Sequence, residues 1–101
     1  MIRSFACKET KALFQRERVR KIPPTIQQVA LRKLRMLDAA VNLEDLKVPP
    51  ANRLEKLKRG RKGQYSIRVN EQWRICFHFQ NTEATDVEIT DYHRIRRAHE
   101  K

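Results

Sequence analysis

The spacing of hydrophobic positions changes period once along the chain, and this divides it into a helical part and a stranded part. Ile2 and Phe5 alternate loosely within Met1 to Ala6, enough for a short first strand. From Lys8 to about Arg20, Ala12, Leu13 and Phe14 sit among charges, which predicts a polar helix with a narrow apolar stripe. Pro23-Pro24 follows Ile22, and a residue before proline resists the helical region, so this helix ends by Lys21. Thr25 with Gln28 has capping-box spacing and predicts Thr25 as the next N-cap. Ile26, Val29, Ala30, Leu34, Leu37 and Val41 then recur at helical spacing, giving a second helix to about Ala40. Arg32, Lys33 and Arg35 fall off that stripe and are expected in solvent. The two helices should form an antiparallel hairpin lying on a sheet.

Asn42 to Asn52 reads as a connector, with Leu43 and Leu46 packing locally and Pro49-Pro50 barring regular structure. Beyond it the period becomes two. Tyr65, Ile67 and Val69 alternate with polar residues, as do Trp73, Ile75, Phe77 and Phe79, and then Val87 and Ile89. Asn70 to Gln72 and Gln80 to Thr85 are the expected turns. Three alternating strands imply a sheet with one face on the core and one face open. The fold class is α+β, with two N-terminal helices packed on one face of a small antiparallel sheet. The polar tail from Arg94 to Lys101 is expected to fray or add a short helical turn.

Composition narrows the function. A chain of 101 residues, 40% apolar and 35% charged, suits one small domain with a modest core. No apolar run approaches the length of a membrane span, and the N-terminus lacks the apolar region of a signal peptide, so a cytoplasmic address is expected. Twenty-three Lys and Arg against 12 acidic residues give a net charge of +11, which points to a polyanionic partner. The alternative is a face charged for solubility. Cys7 and Cys76 lack metal-ligand spacing and read as small buried hydrophobes in a reducing compartment, so neither a metal nor another cofactor is expected.

Strand parity brings the candidate chemistry together. If odd-numbered strand residues face the helices, Arg68 and Arg74 share the other face, and Tyr92 joins them if the parity survives the strand end. The basic loop from Lys58 through Arg61 and Lys62 to Gly63 arrives at one end of that face, and His93 stands close by in sequence. Fixed guanidinium and ammonium groups could stabilise charge on a phosphate while an RNA 2′-hydroxyl attacks it. Tyr and His can stack on bases or move protons. Each residue also has a plainer reading. Arg74 could be a surface partner of Trp73, Lys58 a solvated charge, Tyr92 a cap on the sheet edge, His93 a bystander, and Asp91 either an orienting carboxylate or a turn residue. Taken alone, these residues describe a basic α+β domain that binds RNA or another polyanion.

A family resemblance goes further. The segment RLEKLKRGRKGQYSIRVNEQWRICFHF, the later VEITDYH, the opening MIRSFACKETKALF and the segment RKLRMLDAAVNLEDLKVPPANRLEKL resemble HigB-type toxins of the RelE/ParE superfamily. The likeness runs from Met1 to His93, and the combination of G-x-Y-S-I-x-V, W-R-I-x-F and D-Y-H carries its specificity. It implies a RelE-like toxin domain over residues 1–93, followed by a basic tail over 94–101. It also implies a ribosome-dependent endoribonuclease that cleaves mRNA in the A site. A HigA-type helix-turn-helix antitoxin would hold it inactive, with DNA contacted only through the complex. The family's active-site groups fall on Lys58, Arg74, Asp91, Tyr92 and His93. Glu55 stands where some relatives carry histidine, which implies a slower nuclease. On this reading Arg74 and Lys58 stabilise the phosphate, His93 and Tyr92 move protons and stack, and Asp91 or Glu55 orients. Arg68 contributes to RNA binding, and Arg61, Lys62, Arg32 and Arg35 dock on ribosomal RNA. Two other readings stand beside it: a ParE-like inhibitor of DNA gyrase with no chemistry of its own, and a plain RNA- or ribosome-binding domain.

Overall fold

The computed structural model describes every residue except 59, 60, 62, 100 and 101, and only the backbone of 96–99. Helix α1 spans Lys8–Phe14 and α2 spans Pro24–Ala39. Two short 3₁₀ turns follow, Leu43–Lys47 and Pro50–Asn52. Strands β1 (Glu55–Lys56), β2 (Tyr65–Arg68), β3 (Trp73–Gln80) and β4 (Glu83–Asp91) form a sheet in that order, every neighbour antiparallel. Helix α3, Tyr92–His99, continues directly from β4. The α+β architecture is therefore as the alternation predicts, with one strand more: Glu55 and Lys56 pair with Ser66 and Tyr65. The N-terminal segment forms two parallel bridges along the outer edge of β4, at Ile2–Ala84 and Phe5–Val87, and so covers an edge that would otherwise be open.

The first helix is shorter than its charge pattern suggests. It stops at Phe14 because Arg16 turns left-handed, at φ 62°. The Glu17 N–H then donates to the Ala12 carbonyl and the Arg16 N–H to Leu13, the two bonds of a Schellman ending. Glycine is the usual residue there, so the stop is hard to read from the sequence. At α2 the expected cap is also displaced. Pro23 is the cap and Pro24 the first helical residue, where a missing N–H costs nothing and the ring pre-sets φ; Thr25 lies inside the helix and makes no cap bond.

Lys33 corrects a third expectation. It is only 5% exposed, while its neighbours Arg32 and Arg35 are in solvent. Position 33 lies three residues after Ala30 and four before Leu37, so it belongs to the buried stripe of Ile26, Ala30, Leu34 and Leu37.

The main core lies between that stripe and the odd-numbered residues of the sheet, Ile67, Ile75, Phe77, Val87 and Ile89. A bulge in β4 switches the parity within the strand, so that its odd-numbered residues face the core only beyond the bulge. Cys76 faces Glu88 but His78 faces Thr85, so Asp86 and Val87 together oppose Phe77. Asp86 takes up the extra residue at φ 52°, and both Ala84 and Val87 point inward as a result.

The second face of the sheet, expected to be open, is partly closed. Leu57, Cys76 and Ile95 are buried against one another with Tyr92 packed alongside, so α3 lies over the even-numbered side chains. The turn expected at Gln80 to Thr85 is tighter: the strands run to Gln80 and from Glu83, leaving Asn81 (φ 59°) and Thr82 as the turn.

Helix α1 is tied to the sheet by a buried hydroxyl. Thr10 is fully buried, and its Oγ1 accepts the Ile89 N–H at 3.0 Å and lies 3.0 Å from Cys7 Sγ. Replacing Thr10 by valine keeps the shape but orphans that N–H, which should cost about 1–3 kcal/mol. Urea unfolding of Thr10→Val and Thr10→Ser checks this: serine should recover most of the loss, and a valine variant as stable as wild type would contradict it.

Candidate active site

Arg74 is the second residue of β3, on the even-numbered face, and is 4% exposed. Its guanidinium is held on several sides. Nε donates to Ser66 Oγ at 2.7 Å, and Nη2 donates to the Ser66 carbonyl at 3.2 Å and to the Arg53 carbonyl. The Tyr92 ring lies beneath it, with 5.8 Å between ring centroid and guanidinium carbon, within cation–π range. Nη1 stands 3.7 Å from the Glu55 carboxylate. The Nε–Nη2 edge is thus occupied by the protein's own acceptors, while Nη1 faces a looser contact with a half-buried acid.

Local structure explains the arrangement. Register sets Glu55 opposite Ser66 and Arg68 directly opposite Arg74. Arg53 is left-handed at φ 43°, at the end of the Pro50–Asn52 turn, and it supplies the carbonyl to Nη2. Tyr92 is the first residue of α3. Burial pushes the Arg74 pKa below its ordinary value. Glu55 opposes that shift most strongly, then Tyr92 and Cys76, while Arg68 adds to it. Two guanidiniums facing each other across a strand pair repel, and an anion bridging them would relieve the repulsion.

Arg53, Glu55, Arg68, Asn70, Glu71, Arg74 and Tyr92 line a cleft of about 260 Å³. Of the candidates from sequence, Glu55, Arg68, Arg74 and Tyr92 meet here. Lys58 is exposed, two residues past the end of β1, and is not among the lining residues. Asp91 and His93 flank Tyr92 in sequence without lining the cleft. Asp91 is the cap of α3. Its Oδ1 accepts the His93 N–H at 2.9 Å, and its Oδ2 accepts from Gln72 Nε2 at 3.2 Å. The bond from the His93 N–H, and then the one from Gln72, hold the Asp91 carboxyl below its ordinary pKa. His93 is exposed one residue further on.

The outlying basic residues are dispersed. Arg61 is bound to Gln64 at 3.1 Å and to Glu88 at 3.4 Å, with its side chain 19% exposed. Lys62 lies outside the described residues. Arg32 and Arg35 are on the helix layer, across the sheet from Arg74, where with Arg16 they border a separate groove. Arg53, Ser66, Asn70 and Glu71 are cleft or supporting residues that sequence reasoning missed. Ser66 shares strand parity with Arg74 and could have been found that way. The Arg53 carbonyl had no sequence signal.

Residues 3–93 match the family described as the RelE-like toxin of the type II toxin–antitoxin system HigB. The chain belongs to that family. Among its relatives is Toxin HigB-1 of Vibrio cholerae, 48% identical over 63 residues, which are 62% of this chain and 66% of that protein. An uncharacterised protein of Haemophilus influenzae is 43% identical over 67 residues, 66% of each chain. Endoribonuclease HigB of Proteus vulgaris is 33% identical over 93 residues, 92% of this chain and the whole of that protein. The chain therefore spans just under two thirds of the first two relatives and all of the third. The RelE-like fold implied by the sequence motifs agrees with this membership.

The acid side of the pH range tests the role of Asp91. A depressed carboxyl pKa adds stability above the unfolded-state pKa and loses it as pH falls through the folded-state value. Asp91→Asn keeps an oxygen for the cap but cannot titrate. The wild-type melting temperature should therefore fall towards that of Asp91→Asn as the solution is acidified below the ordinary carboxylate range. A separation between the two that stays constant with pH would rule this out.

Proposed function

We propose that this toxin is an endoribonuclease that cleaves mRNA on the ribosome, in the A site, and so stops translation. The observation that carries this reading is the fixed guanidinium of Arg74, immobilised by Ser66 and Arg53 beside a second arginine and facing a cleft. Cations already oriented before reaction stabilise developing charge without reorganising during it. The name of the Proteus vulgaris relative, Endoribonuclease HigB, supports the same chemistry.

In the reaction, the 2′-oxygen bonds to the adjacent phosphorus and the bond to the 5′-oxygen breaks. The 2′-hydroxyl proton goes to a base, and the leaving 5′-oxygen takes up a proton. Arg74 and Lys58 stabilise charge on the non-bridging oxygens, and Arg68 binds the RNA backbone. Tyr92 and His93 stack on a base and move protons. Asp91 acts through the capped start of α3, which orients both of them. Glu55 orients the Arg74 guanidinium and also competes with phosphate for it. Arg61, Lys62, Arg32 and Arg35 contact ribosomal RNA, Arg61 only after giving up its pairing with Glu88. The partner that restrains the toxin is a HigA-type helix-turn-helix antitoxin, through which the pair reaches DNA, and the site of action is the cytoplasm.

Primer extension on mRNA in translating ribosomes tests this reading. Wild type should leave discrete cuts, and Arg74→Ala should lower the cleavage rate by about 10²–10³-fold, the usual cost of removing a preorganised oxyanion donor. His93→Ala should lower it by about 10²-fold if the imidazole transfers a proton. An intact message with all three proteins would end the enzyme reading and leave binding alone. Equal cutting of free RNA would remove the ribosome from it.

Glu55 gives a test in the opposite direction. Histidine there removes the fixed negative charge 3.7 Å from Nη1 and adds a proton carrier. Glu55→His should cleave faster than wild type in the same assay, and a rate no higher would show that Glu55 is not a brake.

A further inference from the structure

Lys33 has no place in the mechanism above, yet it lies on the buried stripe of α2, where an aliphatic residue would pack without desolvating a charge. Its Nζ donates to Asn52 Oδ1. Asn52 is fully buried, and its Nδ2 donates to the Leu46 carbonyl at 3.1 Å, to the Val48 carbonyl at 3.4 Å and to Met36 Sδ at 3.3 Å. The amide is thus fixed at both ends, its oxygen on Lys33 of α2 and its nitrogen on the connector carbonyls and on Met36 of the same helix.

Asn52 is followed at once by Arg53, whose backbone is left-handed at φ 43° and ψ 60°. A residue with a β-carbon holds that conformation when its surroundings impose it. Two bonds do so here: the Arg53 N–H to the Pro50 carbonyl at 3.0 Å, and the Arg53 carbonyl accepting Arg74 Nη2. Two residues later Glu55 begins β1 and faces Nη1. Two of the groups that hold Arg74 therefore come from one short stretch, and that stretch is anchored through Asn52 to Lys33.

We propose that Lys33 and Asn52 are positioning residues for the cleft, a buried strut from the helix layer that sets the Arg53 carbonyl and, through it, the Arg74 guanidinium. The catalytic consequence rests on the nuclease reading, but the structural consequence does not. Without the strut, the connector can relax around Arg53, the carbonyl leaves Nη2, and Arg74 retains Ser66 alone as a firm partner. Small misplacements of a group that must be aligned in the transition state lower the rate more than they weaken binding.

The experiment pairs two readouts on Lys33→Met and Asn52→Ala. The first is the Arg74 Nε–H resonance in nitrogen–proton NMR spectra, assigned by its loss in Arg74→Lys, together with its exchange rate with water. The second is kcat and KM for mRNA cleavage in a translating extract. Both variants should exchange the Arg74 Nε–H at least about tenfold faster, and kcat should fall about tenfold with KM within about twofold. In an Arg74→Ala background, Lys33→Met should cause no further loss, because the two changes act on one group. Leu37→Ala, a cavity in the same helix, serves as the control, and should lower the melting temperature without moving the Arg74 signal. If Lys33→Met does not fold, Lys33→Gln, which keeps an N–H donor, should speed the exchange to a smaller extent. An Arg74 resonance unchanged in folded Lys33 and Asn52 variants would overturn the proposal, as would equal loosening in Leu37→Ala. A wild type that cuts no RNA would overturn the nuclease reading while leaving the resonance to decide the strut.

Discussion

The structure around the cleft depends on one buried cation. Removing a guanidinium from water is costly unless its donors are met, and a lone surface salt bridge would not offset that cost. Arg74 is met chiefly by neutral oxygens, the Ser66 hydroxyl and the carbonyls of Ser66 and Arg53. Neutral acceptors hold the group while leaving most of its charge uncompensated. Glu55, at 3.7 Å and partly in solvent, compensates it only in part. A guanidinium immobilised in this way, with net positive character retained, suits an anion that arrives from outside.

That requirement propagates into the fold. Strand β1 is two residues long, too short to be stable alone, but its pairing sets Glu55 opposite Ser66 and so within reach of Arg74. The Arg53 backbone takes a conformation that few residues with side chains adopt, and the Asn52 amide and Lys33 ammonium stand behind it. On the other flank, Asp91 caps α3 and Tyr92 slides beneath the guanidinium, while Leu57, Cys76 and Ile95 seal the sheet beside it. Burial pushes the Cys76 thiol pKa up, which keeps it protonated and apolar in character. The sheet thus has a conventional core on one face and a small second core on the other, with the cleft beside the second.

Part of the charge excess gathers on each of the two layers. On the sheet side, Arg53, Arg68 and Arg74 converge on one cleft, and Arg61 is already engaged by Glu88. On the helix side, Arg16, Arg32 and Arg35 border a different groove. Among the described residues these are two separate basic regions with the sheet between them, and in the first the Arg74 guanidinium is held by Ser66 and Arg53.

Alternation and helical spacing were sufficient for the fold class, because each reflects a local choice of face: Ile67, Ile75, Phe77 and Ile89 turn to the helices as their parity says, and Ile26, Ala30, Leu34 and Leu37 form the stripe that meets them. The same parity joined Arg68 and Arg74, and Tyr92 entered the cleft with them, although a bulge at Asp86 intervenes. What the local pattern could not express were interactions between distant segments. Lys33, expected off the apolar stripe and in solvent, is buried because Asn52, 19 residues away, supplies an acceptor. A polar tail that could fray or form a helical turn takes the helix, because Cys76 and Leu57 offer Ile95 an apolar seat. Helix α1 stops at Phe14, two residues before an arginine whose left-handed turn is imposed by backbone bonds rather than supplied by a glycine. The sequence by itself determined which side chains share a face for most of the helix and strand positions, Lys33 and Ala84 excepted. Only the tertiary structure decided which of them are buried, because burial of a polar group depends on the partner that meets it, and here those partners come from elsewhere in the chain.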